Sequence, residues 1–149
     1  MNSTTTNPAG MRVNRLVLMA HVRSVEESLA FYALLGFSAV STMRDGAGQA
    51  FWAMARSGSA EIMFSRASGP IDPTQQAVLF YMYSADVRAL RSDLLAKGLA
   101  DGGAFHGQAG PGEGRRVVFS VSHPDYMPAG EVRVSDPDGY CILIGQLAH

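Results

Sequence analysis

The chain has 149 residues, 47% of them apolar, enough to bury a real core as one domain or two very small ones. Twelve basic against thirteen acidic side chains leave a net charge of −1, without the concentrated positive field that a phosphate backbone demands, so nucleic acid is not an expected partner. Its single cysteine, Cys141, precludes an internal disulfide, and no apolar run follows a basic N-terminal cluster, so neither secretion nor a membrane is indicated and a cytoplasmic location is expected.

Residues 1–10 (MNSTTTNPAG) are polar and aperiodic and are predicted to be a disordered leader, with one domain expected over 11–149. Val13 to Val22 is β-rich. Ser24 then opens a segment in which Val25, Leu29, Tyr32 and Leu35 fall at helical spacing. Ser24 and Glu27 form a capping-box pattern at its start, and Gly36 suits a C-cap with positive φ. Phe37 to Met43, Ala50 to Arg56 and Ala60 to Ser65 read as three strands separated by the turn-forming RDGAGQ and SGS. This order is β-α-β-β-β, a module over about 13–66.

A second module, about 77–146, begins the same way. Ala77 to Tyr83 is an apolar strand, and Ala85 to Lys97 places Val87, Leu90, Leu94 and Leu95 on one helical face before Gly98. A shift of 62 lays Gly36 on Gly98, Tyr32 on Leu94 and His21 on Tyr83, the mark of a degenerate duplication. A strand is expected around Ala104, then the Gly-rich GQAGPGEG, the connector RRVVFSVSHPDYMPAG, and a hairpin EVRVSDPDGYCILIG turning at DPDG. GQAGPGEG lacks the GK[ST] ending of a phosphate-binding loop, so flexibility over a cavity mouth is its simpler reading.

Taken together, SVEESLAFYALLGF, SGSAEIMF, ADVRALRSDLLAKG and GEVRVSDPDGYCILIG resemble the vicinal oxygen chelate superfamily, which includes glyoxalases, extradiol dioxygenases and bleomycin resistance proteins. The resemblance runs from Val13 to Gln146. It implies an α+β fold of two βαβββ modules whose sheets curve around a cavity, commonly in a homodimer. In metal-using relatives the ligands stand on the first and last strands of each module, and those places fall on Val17, Met63, Leu79 and Leu143. None of these offers the oxygen or imidazole that a divalent cation needs, and neither do their immediate neighbours. No metal and no cofactor is therefore expected.

Without a metal, what remains is a lining. Strand alternation sends Met19 and His21 to the face of Val17, together with Glu61, Met63, Tyr81, Tyr83, Cys141 and Leu143. That face suits a small, amphipathic organic ligand held by shape and stacking, with Met19, His21, Trp52, Met63, Tyr81, Tyr83 and Tyr126 as its contacts. The plainer alternative is that Met19, Met63, Tyr81, Leu143 and Trp52 are core. Cys141 has no identifiable basic partner and reads as a small core residue.

The second functional reading is an enzyme of glyoxalase or dioxygenase type. His21 and Glu61 would be its catalytic pair, through a divalent metal held by unusual donors or through metal-free acid/base chemistry at His21. Bleomycin-binding relatives are acidic, as suits a cationic drug, whereas this chain is nearly neutral, so the resemblance does not carry that ligand over.

Overall fold

The computed structural model of the chain describes residues 12–106 and 115–148. The leader and the GQAGPGEG loop fall outside these residues. In the first module, β1 (Leu18–Val22) leads into α1 (Val25–Ala33), followed by β2 (Ser38–Arg44), β3 (Ala50–Ser57) and β4 (Ala60–Arg66). Their sheet has the order β1-β4-β3-β2, with β1 parallel to β4 and both other pairings antiparallel. The second module has β5 (Leu79–Ser84), α2 (Val87–Ala96), β6 (Ala100–Asp101), β7 (Val117–Val118), β8 (Glu131–Ser135) and β9 (Cys141–Gln146) in the order β5-β9-β8-β7-β6.

Both helices start where a side chain satisfies a free amide. Ser24 Oγ accepts the Glu27 N–H at 3.1 Å, and Asp86 Oδ1 accepts the Ala89 N–H at 3.0 Å. Both end at a glycine in the left-handed region, Gly36 at φ 98° and Gly98 at φ 104°. The duplication thus extends to backbone conformation. It extends to register as well: Leu18 faces Ile62 on parallel strands as Phe80 faces Ile142, and Met54 faces Met63 on antiparallel strands as Arg133 faces Leu143.

Three expectations change. The first strand begins at Leu18, and residues 12–17 run outside the ladder with Val13 and Leu16 exposed. The strand expected around Ala104 is the two-residue β6 at Ala100–Asp101, cut short by Gly102 and the positive φ of Gly103. The connector is partly strand: β7 lies within it, and the Arg116 and Phe119 amides bond to Ser135 and Arg133 on β8.

One face of each sheet packs against its helix. Ala20, Val22, Ile62 and Phe64 close over Val25, Phe31 and Tyr32, while Phe80, Val132, Val134 and Ile142 pack with Val87 and Leu94, and all belong to one buried cluster. Full burial of a valine, leucine, isoleucine or phenylalanine side chain is worth about 1.5–3 kcal/mol, so each of these residues contributes favourably to folding.

The DPDG turn joins the modules. Asp136 Oδ2 accepts the Tyr32 hydroxyl at 2.8 Å, and Asp138 Oδ1 accepts both the backbone N–H and the Nε–H of Arg23 at 3.0 Å. Tyr140 donates to the His21 carbonyl at 2.9 Å, and the Arg23 guanidinium also bonds the Pro137 carbonyl. Both aspartates are fully buried. The turn is therefore spent on structure, at the seam between modules.

Candidate functional site

Each sheet has a second face, turned away from its helix, and register fixes what stands on it. On the first module, Met19, Met63, Met54 and Ser41 lie in one row across four strands, and His21, Ser65, Trp52 and Met43 lie in the next. Met19 is 53% exposed, His21 is exposed, and Met63 and Trp52 are half-buried, so these side chains line an open surface. A core role for Met19 and Trp52 is thereby corrected: the helix side of the sheet is filled by the alternate residues Ala20 and Ala53.

Glu61 lies a further row away, opposite Arg56 on β3. His21 faces Ser65, four residues further along β4, which separates His21 from Glu61 by on the order of 13 Å of strand. The two are not brought together. Glu61 is instead clamped by Arg15 and by Arg56, whose Nη2 lies 2.7 Å from its Oε2. The hydrogen bonds from Arg15 and Arg56 hold this carboxyl below its ordinary range. A carboxylate engaged by two guanidiniums is poorly placed to orient an imidazole.

The second module shows the same face with different chemistry. Tyr81, Leu143, Arg133 and Phe119 make one row, and Tyr83, Gly145, Glu131 and Ser122 make the next. Glu131 is only 6% exposed, and its two oxygens accept the hydroxyls of Tyr81 at 2.7 Å and Tyr126 at 2.8 Å. Burial and then the bond to Glu131 push the Tyr81 phenol well above its ordinary value, and the Tyr126 phenol is raised chiefly by its own bond to that carboxylate. Gly145 makes this geometry possible: a Cβ there would lie 2.9 Å from the Tyr81 hydroxyl and 2.7 Å from the Met127 methyl.

Arg133 stands two residues from Glu131 on the same strand face, yet the pair does not close. Its guanidinium lies 3.8 Å over the Phe105 ring, and Nη1 donates to Cys141 Sγ at 2.9 Å. Arg133 is thus a basic partner that the sequence did not reveal for Cys141, but burial outweighs its pull and pushes the thiol up. Glu131 and Arg133, with Phe105, Ser120 and Ser122, line a cavity of about 180 Å³. A larger one, about 560 Å³, lies between the modules and is lined by Leu35, Phe37, Tyr81, Met82, Tyr83 and Leu90 among others.

The metal-ligand places can now be set in register. Met63 faces Met19, two residues beyond Val17, and Leu143 faces Tyr81, two residues beyond Leu79. The correction stays on the same face and brings no imidazole or carboxylate. Among the described residues no group of three His, Cys, Asp or Glu side chains comes together. His123 is engaged by the Pro128 carbonyl and Arg88. These residues do not fit a divalent cation, which needs oxygen, imidazole or thiolate donors.

Paired βαβββ modules in this register are the architecture that the sequence resemblance implies, and the chain has it. No family model matches the sequence, and no curated protein matches it. Solved structures do. A bleomycin-binding protein complexed with bleomycin is similar at TM-score 0.65 and 18% identity, over 91% of this chain and 100% of that one. A bleomycin resistance determinant encoded on the transposon Tn5 gives TM-score 0.67 and 18% identity, over 92% and 100%. A glyoxalase/bleomycin resistance protein from Streptomyces sp. CB03234 gives 0.59 and 18%, over 87% and 97%.

Three residues of the second face, Glu131, Arg133 and Gly145, are absent from the sequence-derived contacts. The signal for two of them was present. EVRVS alternates charged and apolar residues, so with Val132 and Val134 on the core the charges had to face the other way.

Proposed function

We propose that the chain is a metal-free small-molecule-binding protein that holds an amphipathic organic ligand against the open faces of its two sheets. One observation carries this reading. The face that metal-using relatives furnish with donors here presents Met19 and Met63 on one module and Tyr81 and Tyr83 on the other, with Met54 and Leu143 buried beneath them in the same rows. Thioethers adapt to irregular outlines, and tyrosines offer an apolar ring with a polar tip, which is the chemistry of shape-based ligand capture. The solved neighbours named for bleomycin binding and bleomycin resistance support ligand binding as the use of this fold. A second copy of the chain, covering the open faces, and a cytoplasmic setting belong to the same proposal. No helix among the described residues is long and apolar enough to cross a membrane.

The chain contains a single tryptophan, and Trp52 stands on the open face between Ser65 and Met43. Its emission is therefore a reporter of occupancy. Titration of chelator-treated protein with a panel of amphipathic aromatic compounds, bleomycin included, is expected to change that emission saturably. A response that appears only after a divalent ion is added, or near-stoichiometric metal in protein purified without chelator, would overturn the metal-free reading.

A further inference from the structure

We propose that the cavity beside β8 binds the zwitterionic head of an amino-acid-like ligand, with Glu131 taking its ammonium group and Arg133 its carboxylate. The proposal rests on the reading of the chain as a small-molecule binder and names the polar chemistry of the ligand.

Glu131 and Arg133 are two residues apart on one strand face, a spacing at which opposite charges readily meet. Each is held away from the other by separate partners. Tyr81 and Tyr126 occupy both oxygens of Glu131 with neutral hydroxyls, while the Phe105 ring and the Cys141 thiol hold the Arg133 guanidinium. Among the described residues neither charge has an ion-pair partner.

A carboxylate this deeply buried without a cation is costly, and buried charges are ordinarily paired. Here both signs stand in the wall of one cavity of about 180 Å³, with the hydroxyl-bearing Ser120 and Ser122 beside them. A lone cation would meet Arg133 in the same small space, and a lone anion would meet Glu131. A group carrying both charges a few bonds apart satisfies both walls and leaves no net charge buried. Each carboxylate oxygen retains a lone pair beyond the one its tyrosine uses, and the guanidinium retains donors beyond Nη1. The remainder of the ligand would pack against Phe105 and Val121, the apolar side chains in the same cavity wall.

Three probes with one phenylethyl skeleton separate the possibilities: phenylalanine carries both charges, phenethylamine only the ammonium, and 3-phenylpropionate only the carboxylate. Nuclear magnetic resonance titration of the full chain is expected to show phenylalanine binding roughly tenfold more tightly than either single-charge probe. Glu131→Gln should reduce phenylalanine to the level of 3-phenylpropionate, and Arg133→Gln to the level of phenethylamine. Thermal melts of both variants establish folding, and Asp93→Asn, which removes an exposed charge on α2 outside the cavity wall, should keep the preference. Equal binding of all three probes, or a preference that survives both charge substitutions, overturns the proposal. In that case a saturable Trp52 response to neutral amphipathic compounds leaves the wider binding reading standing, whereas no response to any compound sinks both.

Discussion

At the scale of single residues, Gly145 decides how the second face is arranged. It lies between Tyr83 and Glu131 in the row, and the Tyr81 hydroxyl crosses the space where its side chain would stand. Gly145→Ala puts a methyl 2.9 Å from that hydroxyl, closer than such atoms tolerate, so the Tyr81–Glu131 hydrogen bond must lengthen or break. The expected cost is about 1–2 kcal/mol in urea denaturation, the usual penalty for a buried acceptor losing a donor. Released from Glu131, Tyr81 should ionise at lower pH, which ultraviolet titration of the tyrosines would detect. An unchanged tyrosine titration would show that Tyr81 does not depend on the vacancy at Gly145. The tyrosines were legible in the sequence because alternation alone places them opposite the core. The role of Gly145 was not, since a missing side chain has no signature until the atoms that use its space are known.

At the scale of elements, the hairpin turn between β8 and β9 is a seam with a pH dependence of its own. Burial raises the Asp136 carboxyl from its ordinary 3.8 to about 6, against the opposing pull of the Tyr32 hydroxyl and two backbone amides. Between those two values the folded state holds a proton on Asp136 that the unfolded chain releases, so this group's contribution to stability falls as pH rises from about 4 to about 6 and is level above that. The full swing is about 3 kcal/mol. Glu26 and Asp45 act in the opposite sense, because backbone hydrogen bonds lower both. The informative quantity is therefore the stability of the wild type relative to Asp136→Asn, measured by denaturation at pH 4 and pH 7. That difference should move against the wild type by up to the swing given above; a constant difference would mean that Asp136 titrates alike folded and unfolded. The turn itself was legible from DPDG. Its burial was not, because Tyr32 and Arg23 lie more than a hundred residues away in sequence. The same limit explains the misplaced strand near Ala104: β6 is two residues long and is fixed by its neighbour β7, not by a pattern of its own.

At the scale of the molecule, the question is what covers the open faces. The cavity between the modules takes in Tyr81 and Tyr83 but none of Met19, His21, Trp52 or Met63, and Met19 and His21 are exposed among the described residues. Met19 and Met43 on one sheet, with Leu79 and Tyr83 on the other, are each more than half exposed. Apolar side chains gathered on one side of a sheet mark an interaction surface more often than a solvated one. Two such faces on the same chain suit a symmetric pairing in which each copy's first face meets its partner's second, because one two-fold axis then closes both clefts. A stable pair buries about 800 Å² per partner, within reach of a sheet face and its rim. Sedimentation at tens of micromolar protein should therefore give twice the chain mass, and Leu79→Lys, an exposed position that need not disturb folding, should shift it toward the single chain while weakening the Trp52 response to ligand. Dissociation with the ligand response intact would place the site within one chain. A wild type that sediments as a single chain would leave the first sheet's methionines facing solvent and require the ligand itself to cover them.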